Sequence, residues 1–269
     1  MSEQQPWTIQ KQDEIRAAKE AAAGPVPIIG EAPDVLMTLP RGLFVNGQWQ
    51  RTVVTRELTG ADEEVLAKVP DQLAFFNTVI ALGIESIGEL DFTELPLAQR
   101  KSHLSGLLLG ERDMLFVKVT QTSFGDQKEI NFNCTLCEAE QSLTLLLSED
   151  LQAKMPEDDT EVHTFTSAQG VLDFRAAVGS DQEEATSKRG TTSAEQNTII
   201  LSRCVTKCNG DLIVDPMKFV RNMSIRDRQN LLKELVGLQP VIDLELKTKC
   251  AACGGDQTIG LGWADIFRP

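Results

Sequence analysis

Tyrosine is absent, histidine occurs twice, and aromatic residues make up 5% of the 269 positions. Aliphatic side chains must then fill most of any core, and His103 and His163 leave little scope for imidazole acid–base or metal chemistry. Positive charge is short as well: 26 Lys and Arg stand against 40 Asp and Glu, a formal net charge of -14. Non-specific binding to nucleic acid or anionic lipid rests on basic side chains displacing counterions, so neither nucleic acid nor membrane is expected as a partner. No apolar run approaches the ~20 residues that span a bilayer, and residues 1–13 lack the basic-then-apolar order of a secretory signal. The expected compartment is a reducing cytosol, where cysteine pairs are more often metal ligands than disulfides. No Walker-type phosphate loop, dinucleotide-binding glycine pattern, H-E-x-x-H or G-x-S-x-G elbow is present. No catalytic or cofactor-binding residue is assigned, and the expectation is a protein that is not an enzyme.

What the chain does have is 41% hydrophobic residues, enough for a packed core at a length that suits two domains. It also has six cysteines, four of them in two short pairs: Cys134-Thr135-Leu136-Cys137 and Cys250-Ala251-Ala252-Cys253, set 116 positions apart. Strand-like residues flank both pairs, 129–133 and 142–146 around the first, 243–247 and 257–261 around the second. A C-x-x-C turn between strands is the geometry of a zinc knuckle. Cys134, Cys137, Cys250 and Cys253 together supply the four thiolates of a closed, structural zinc site with no open position for water. Cys204 and Cys208 lack such spacing. They read as a buried small residue and a turn residue before Asn209-Gly210.

The cysteine pairs close a longer series of matches. Arg56, Gly60 and Asp62 return as Arg175, Gly179 and Asp181, each displaced by 119. Asn77-Thr78-Val79-Ile80 returns as Asn197-Thr198-Ile199-Ile200, displaced by 120, and Arg112-Asp113 as Arg226-Asp227, displaced by 114. Matches in one order at a nearly constant offset point to a duplication. The expected fold class is α+β: a tandem duplication of a small α+β unit, each copy ending in a β-hairpin zinc knuckle, behind an extended N-terminal arm. The boundaries are 1–42 for the arm, 43–150 for the first repeat, and 151–269 for a linker and the second repeat.

Local signals fill in the elements. Residues 8–23 give a weakly amphipathic helix, followed by Pro and Gly punctuation that favours extended chain. Asn46-Gly47 is a type I′ turn signal, and Thr59 is placed to cap a helix. Ser180-Asp181-Gln182-Glu183 has the spacing of a capping box. These acidic helix starts need no calcium or magnesium to explain them. Residues 75–84 read as either strand or helix. Pro96 opens a helix, and 216–223 and 225–236 are helices, the latter with Leu231, Leu232 and Leu235 on one face. Residues 148–161 read as an acidic linker and 186–195 as a mobile loop. Arg112-Asp113 and Arg226-Asp227 read as local salt bridges or helix-start contacts rather than catalytic pairs.

Taken together, Leu39-Pro40-Arg41-Gly42, Arg56-Glu57-Leu58-Thr59-Gly60-Ala61-Asp62-Glu63, the double C-x-x-C and the terminal Ile266-Phe267-Arg268-Pro269 resemble the baseplate (hub and assembly) proteins of contractile-tailed bacteriophages. Related phage-tail-like injection systems carry similar proteins. The stretch from Phe174 to Glu183, followed by Leu201-Ser202-Arg203-Cys204-Val205, is similar to the same group. The resemblance implies a non-enzymatic structural or assembly component of the virion tail baseplate, assembled in the host cytoplasm. It implies other baseplate or tail proteins as partners, the tape-measure protein among them. The two halves differ from each other at Glu57 against Ala176 and Thr59 against Val178, so equivalent contacts from both halves are not expected. The knuckles alone motivate an alternative, a zinc-ribbon nucleic-acid-binding or transcription-associated module.

Overall fold

The computed structural model describes residues 35–156, 161–187 and 190–267. The helix expected at 8–23 lies outside them. Asn46 and Gly47 take the left-handed conformation, with φ of 51° and 83°, as a type I′ turn requires. This turn folds β1 (Leu36–Val45) onto β2 (Gln48–Thr55). Residues 36–42, expected to belong to the arm, are therefore part of a strand. The pairing slips between Thr38 and Leu43, where Leu39-Pro40-Arg41-Gly42 bulges out of register. Gly42 sits at φ 80° against the carbonyl of Gln50, and a Cβ there would lie 2.1 Å from that oxygen, so only glycine fits.

After β2, Thr59 caps α1 (Gly60–Leu66), and Asp71 caps α2 (Gln72–Gly83). The apolar stretch is thus helix over 75–83, and its last residue, Ile84, opens β3 (Ile84–Ile87), which pairs with β2 on one side and with β4 (Leu90–Asp91) on the other. Two helices follow, α3 (Leu97–Leu104) and α4 (Leu109–Phe124), then the hairpin of β5 (Gln127–Asn133) and β6 (Glu140–Leu146). The expected linker carries structure of its own: α5 (Leu147–Asp150) buries Leu147, and β7 (Ala153–Lys154) joins a two-stranded sheet.

The succession hairpin, two helices, hairpin, two helices then recurs. It comprises β8 (His163–Ser167) and β9 (Gly170–Phe174), α6 (Gly179–Thr186) and α7 (Ser193–Cys204), β10 (Val205–Cys208) and β11 (Asp211–Leu212), and α8 (Pro216–Arg221) and α9 (Ile225–Gly237). The two four-stranded sheets run β1-β2-β3-β4 and β11-β10-β9-β8, the same order, each with its own pair of helices between the second and third strands. β12 (Val241–Ile242) pairs with β7, β13 (Glu245–Lys249) and β14 (Asp256–Gly260) form the last hairpin, and α10 (Trp263–Phe267) follows.

Each sheet backs its own core. Leu172, Phe174, Leu201, Val220, Leu231 and Leu235 form one cluster, drawn from β9 to α9. The other joins Leu39, Val53, Ile80, Ile84, Leu115 and Phe116 to Leu261 and Ile266 from the carboxy-terminal segment. The scarce aromatics concentrate there. Phe76 stacks on Phe116 with ring centroids 4.8 Å apart, and Trp263 packs against both. The last hairpin and α10 thus complete the first core, and the division of the cores does not follow the division of the sequence at 150/151.

A matched ion pair opens the first helix of each half. Arg56 grips Asp62 with two hydrogen bonds of 2.9 and 2.8 Å, and Arg175 grips Asp181 with two of 2.7 and 3.0 Å. Asp62 also accepts from the Thr59 N–H and Asp181 from the Val178 N–H, so each aspartate sits at the third helical position and closes the helix start. The helix expected to begin with a Ser180 cap therefore begins earlier, at Gly179. Asp181 must turn inward to Arg175, which fixes Val178 as the capping position.

The Arg-Asp pairs at 112 and 226 are not equivalent. Arg112 follows Glu111, the third residue of α4, whereas Asp227 is itself the third residue of α9. Nor is Arg112 a local contact: it reaches Asn77 and Glu183, from α2 and α6, across a space that Gly179 leaves open. Glu111 is fully buried, and its carboxylate accepts from the N–H groups of Arg41, Gly42 and Leu108 at 2.6, 2.7 and 3.0 Å, which holds the β1 bulge.

Burial lifts the neighbouring Asp113 carboxyl to about 6, despite the nearby Arg112 charge. Between its unfolded value, about 3.9, and 6, the folded chain holds a proton that the unfolded chain has lost, so stability falls as pH rises through that window. Asp113→Asn is expected to raise the urea midpoint at pH 7 by an amount on the order of 1–3 kcal/mol in stability and to give no gain at pH 4. Equal effects at both pH values would contradict this.

Candidate metal centre

The β5–β6 hairpin keeps an unbroken register from Gln127↔Leu146 to Asn133↔Glu140, and β13–β14 from Glu245↔Gly260 to Lys249↔Asp256. Continuous pairing delivers a cysteine pair to each tip. At the first tip, the Cys134 N–H donates to the Ala139 carbonyl at 3.0 Å, and the Glu138 N–H to the Cys134 carbonyl at 2.9 Å. At the second, the Cys250 N–H donates to the Gly255 carbonyl at 2.9 Å, and the Gly254 N–H to the Cys250 carbonyl at 2.8 Å. Glu138 and Gly254, the residues after each pair, both take positive φ, 59° and 71°. The sulfurs are held alike: the Leu136 N–H points at Cys134 Sγ and the Ala252 N–H at Cys250 Sγ, each at 3.4 Å.

The tips meet head to head. Cys134 Sγ lies 3.8 Å from Cys253 Sγ, and Cys137 Sγ lies 3.7 Å from Cys250 Sγ. All four ligand atoms fall within 4.8 Å of one another. Cys134 and Cys250 are buried, whereas Cys137 and Cys253 form an exposed rim. The close pairs exchange under the 116-residue offset, so the contact is two-fold in character. Leu136 covers Gly255, where an added Cβ would lie 2.4 Å from Leu136 Cδ1.

This donor set suits a soft divalent ion. Tetrahedral zinc with bonds of about 2.3 Å to sulfur separates its thiolates by about 3.8 Å, the spacing of the two close pairs. The electrostatics agree. Burial resists ionisation of Cys134, yet the N–H groups of Leu136 and Cys137 and the adjoining thiols bring it down to about 7. At Cys137 the Ala139 N–H favours the thiolate, but the sulfurs of Cys134 and Cys253 push it up to about 12. One thiolate is welcome there and a second is opposed, a conflict that a cation within the cluster removes.

The other residues singled out from the sequence go elsewhere. Asp62 and Asp181 serve their helix starts, and the Asp227 carboxylate accepts from the Ala168 N–H. Cys204 is buried beside Asp181, and burial first, then that carboxylate, pushes its thiol up to about 12. Cys208 Sγ lies 3.6 Å from the Gln169 carbonyl oxygen, away from the cysteine cluster. Among the described residues, the four-cysteine cluster is the one group of three or more Cys, His, Asp or Glu placed to hold a metal. The reading of the sequence passed over Gln141 and Gln257, which bridge the two tips. The signal was available: both pairs belong to a longer phrase, C-x-x-C-x-x-x-Q.

No described helix is long and apolar enough to cross a membrane. No curated protein and no solved structure matches the chain. A family model described as T4 bacteriophage base plate protein matches residues 49–268, from β2 to the carboxy-terminal end and across both cysteine pairs. Of the phrases that carry the resemblance, only Leu39-Pro40-Arg41-Gly42 lies wholly outside the match. With both repeated Arg-Asp helix starts and both hairpin tips inside the matched span, the chain belongs to the T4 bacteriophage base plate protein family.

Proposed function

We propose that this structural component of a phage tail baseplate is stapled by one zinc ion held by Cys134, Cys137, Cys250 and Cys253, and that it works by binding neighbouring tail proteins rather than by catalysis. The convergence of four thiols from two hairpins carries the reading. A closed four-sulfur site leaves no position for water, so its role is to hold the fold. Residues 43–150 and 151–269 are read as the two copies of a duplicated unit. Support comes from the shared order of elements, the paired Arg56–Asp62 and Arg175–Asp181 contacts, and the matching hydrogen bonds at the two tips. In that reading each copy supplies one zinc knuckle. The residues at the tips, Thr135, Leu136, Ala251 and Ala252, include no base and no aromatic, which speaks against a nucleic-acid module. The tape-measure protein stands among the proposed neighbours, and the residues ahead of β1 are the segment proposed to reach them.

Metal analysis of protein purified without chelator tests the site. One zinc per chain is expected, and a content near zero overturns it. A mass-spectrometric inventory of purified particles tests the role. A fixed ratio to other baseplate proteins marks a resident component, whereas presence only in infected cells marks an assembly factor.

A further inference from the structure

We infer that Gln141 and Gln257 are positioning residues of the four-cysteine site, each handing its side-chain oxygen to the opposite hairpin tip and so setting how the two pairs of thiols meet. The inference rests on the reading of that cluster as a metal site. Gln141 lies on β6, and its Oε1 accepts from the Ala251 N–H at 2.9 Å. Gln257 lies on β14, and its Oε1 accepts from the Thr135 N–H at 3.0 Å and from the Thr135 hydroxyl at 2.9 Å. The donors are the residues directly after Cys134 and Cys250, the buried ligand of each pair. Each amide is also oriented from behind. Gln141 Nε2 donates to the Glu140 carbonyl at 2.7 Å, and Gln257 Nε2 to the Asp256 carbonyl at 2.9 Å. Using the NH2 end on its own strand leaves the oxygen facing the other hairpin.

The arrangement is reciprocal, and both glutamines follow their cysteine pair at the same distance in sequence. Apolar packing already brings the hairpins together, through Leu136 over Gly255 and through the core that Leu261 and Ile266 join; these bonds add directional contacts between the two tips. With them the tips are held in register, so less ordering remains when an ion binds. Hydrogen-bonding partners that orient a metal site typically contribute about 10–100-fold in affinity. Gln257 should matter more, because it is buried and accepts two bonds, whereas Gln141 is half-buried and accepts one.

The test uses the full chain and a chromogenic chelator competing for zinc. It compares the wild type with Gln141→Met and Gln257→Met, which keep the shape and remove the acceptor, and with Gln257→Glu, which keeps an acceptor oxygen. Cobalt substitution follows the thiolate-to-metal absorption. The expected result is an unchanged four-sulfur cobalt spectrum at saturation in every protein. Zinc affinity should fall about 10–100-fold in Gln257→Met and less in Gln141→Met, with part of the loss recovered in Gln257→Glu. Should Gln257→Met fail to fold, Gln141→Met, at the half-exposed position, carries the comparison. Affinities of the Met variants indistinguishable from wild type would overturn the inference and leave the metal site standing. A wild type that binds no metal would instead overturn the reading on which the inference rests.

Discussion

Serine in place of Cys134 or Cys253 is expected to empty the proposed zinc site and release the β13–β14 hairpin from β5–β6. A structural zinc site is worth roughly 10–16 kcal/mol in small peptides, and removing one of its four sulfurs opens the site to water and forfeits part of that. The sulfur cluster joins hairpins more than a hundred residues apart in sequence, so its loss acts on the docking of the carboxy-terminal segment rather than on either hairpin alone. Cys134→Ser should be the more damaging, because its side chain is buried at the centre of the contact, while Cys253 stands at the rim. Cys208→Ser should leave zinc content and stability near wild type, as its sulfur takes no part in the cluster. Hydrogen exchange over residues 243–260, read beside zinc content, checks the expectation. Retention of zinc and of protection in Cys134→Ser would refute the shared site.

The second large effect is expected at Asp181, whose carboxylate is fully buried and receives both Arg175 and Arg203, with contacts of 2.7 Å to each. Burial would raise its pKa, but the hydrogen bonds from Arg175, the Val178 N–H and Arg203 outweigh burial and hold it below the usual range. Asp181→Ala removes the partner of two half-exposed arginines, which can turn to water, and the helix-start contact to the Val178 N–H, and is expected to cost about 1–3 kcal/mol. Asp62→Ala, with one arginine partner and a more open setting, should cost clearly less. The folded pKa is depressed, so the Asp181 contribution is complete above the unfolded value of about 3.9 and is lost as pH falls below it. Urea midpoints at pH 7 and pH 3 test both points. Equal losses at the two pH values, or a smaller loss at Asp181 than at Asp62, would contradict the account.

Much of this protein was legible from short stretches of sequence, because turns and caps are decided within a few residues. Asn46-Gly47 makes its turn through backbone freedom at two positions, and Thr59 closes its helix through an oxygen three residues from its donor. The hairpins that carry the cysteines follow from strand-like residues on both sides of a C-x-x-C. Other readings failed where a distant partner competes with the local signal. Ser180 has the spacing of a cap, but Asp181 is drawn inward by Arg175 and Arg203, and the helix starts earlier. Arg112 and Arg226 look equivalent as dipeptides, yet the first is drawn across to Asn77 and Glu183.

By itself, then, the sequence determined the kinds of element, the cysteine quartet and the family resemblance, since these reside in residue identity and spacing. Tertiary structure alone decided that residues 75–83 are helix and that Ile84 opens a strand, because periodicity cannot tell helix from strand in a short apolar run. It also decided that the last hairpin and α10 complete the first core, where Trp263 and Phe267 find the aromatic neighbours that this tyrosine-free chain can offer. The head-to-head meeting of the sulfurs and the crossing of Gln141 and Gln257 belong with these. Each needs two strands over a hundred residues apart to be brought within hydrogen-bonding distance, and burial of the core that both hairpins share offsets the loop-closure entropy of that approach.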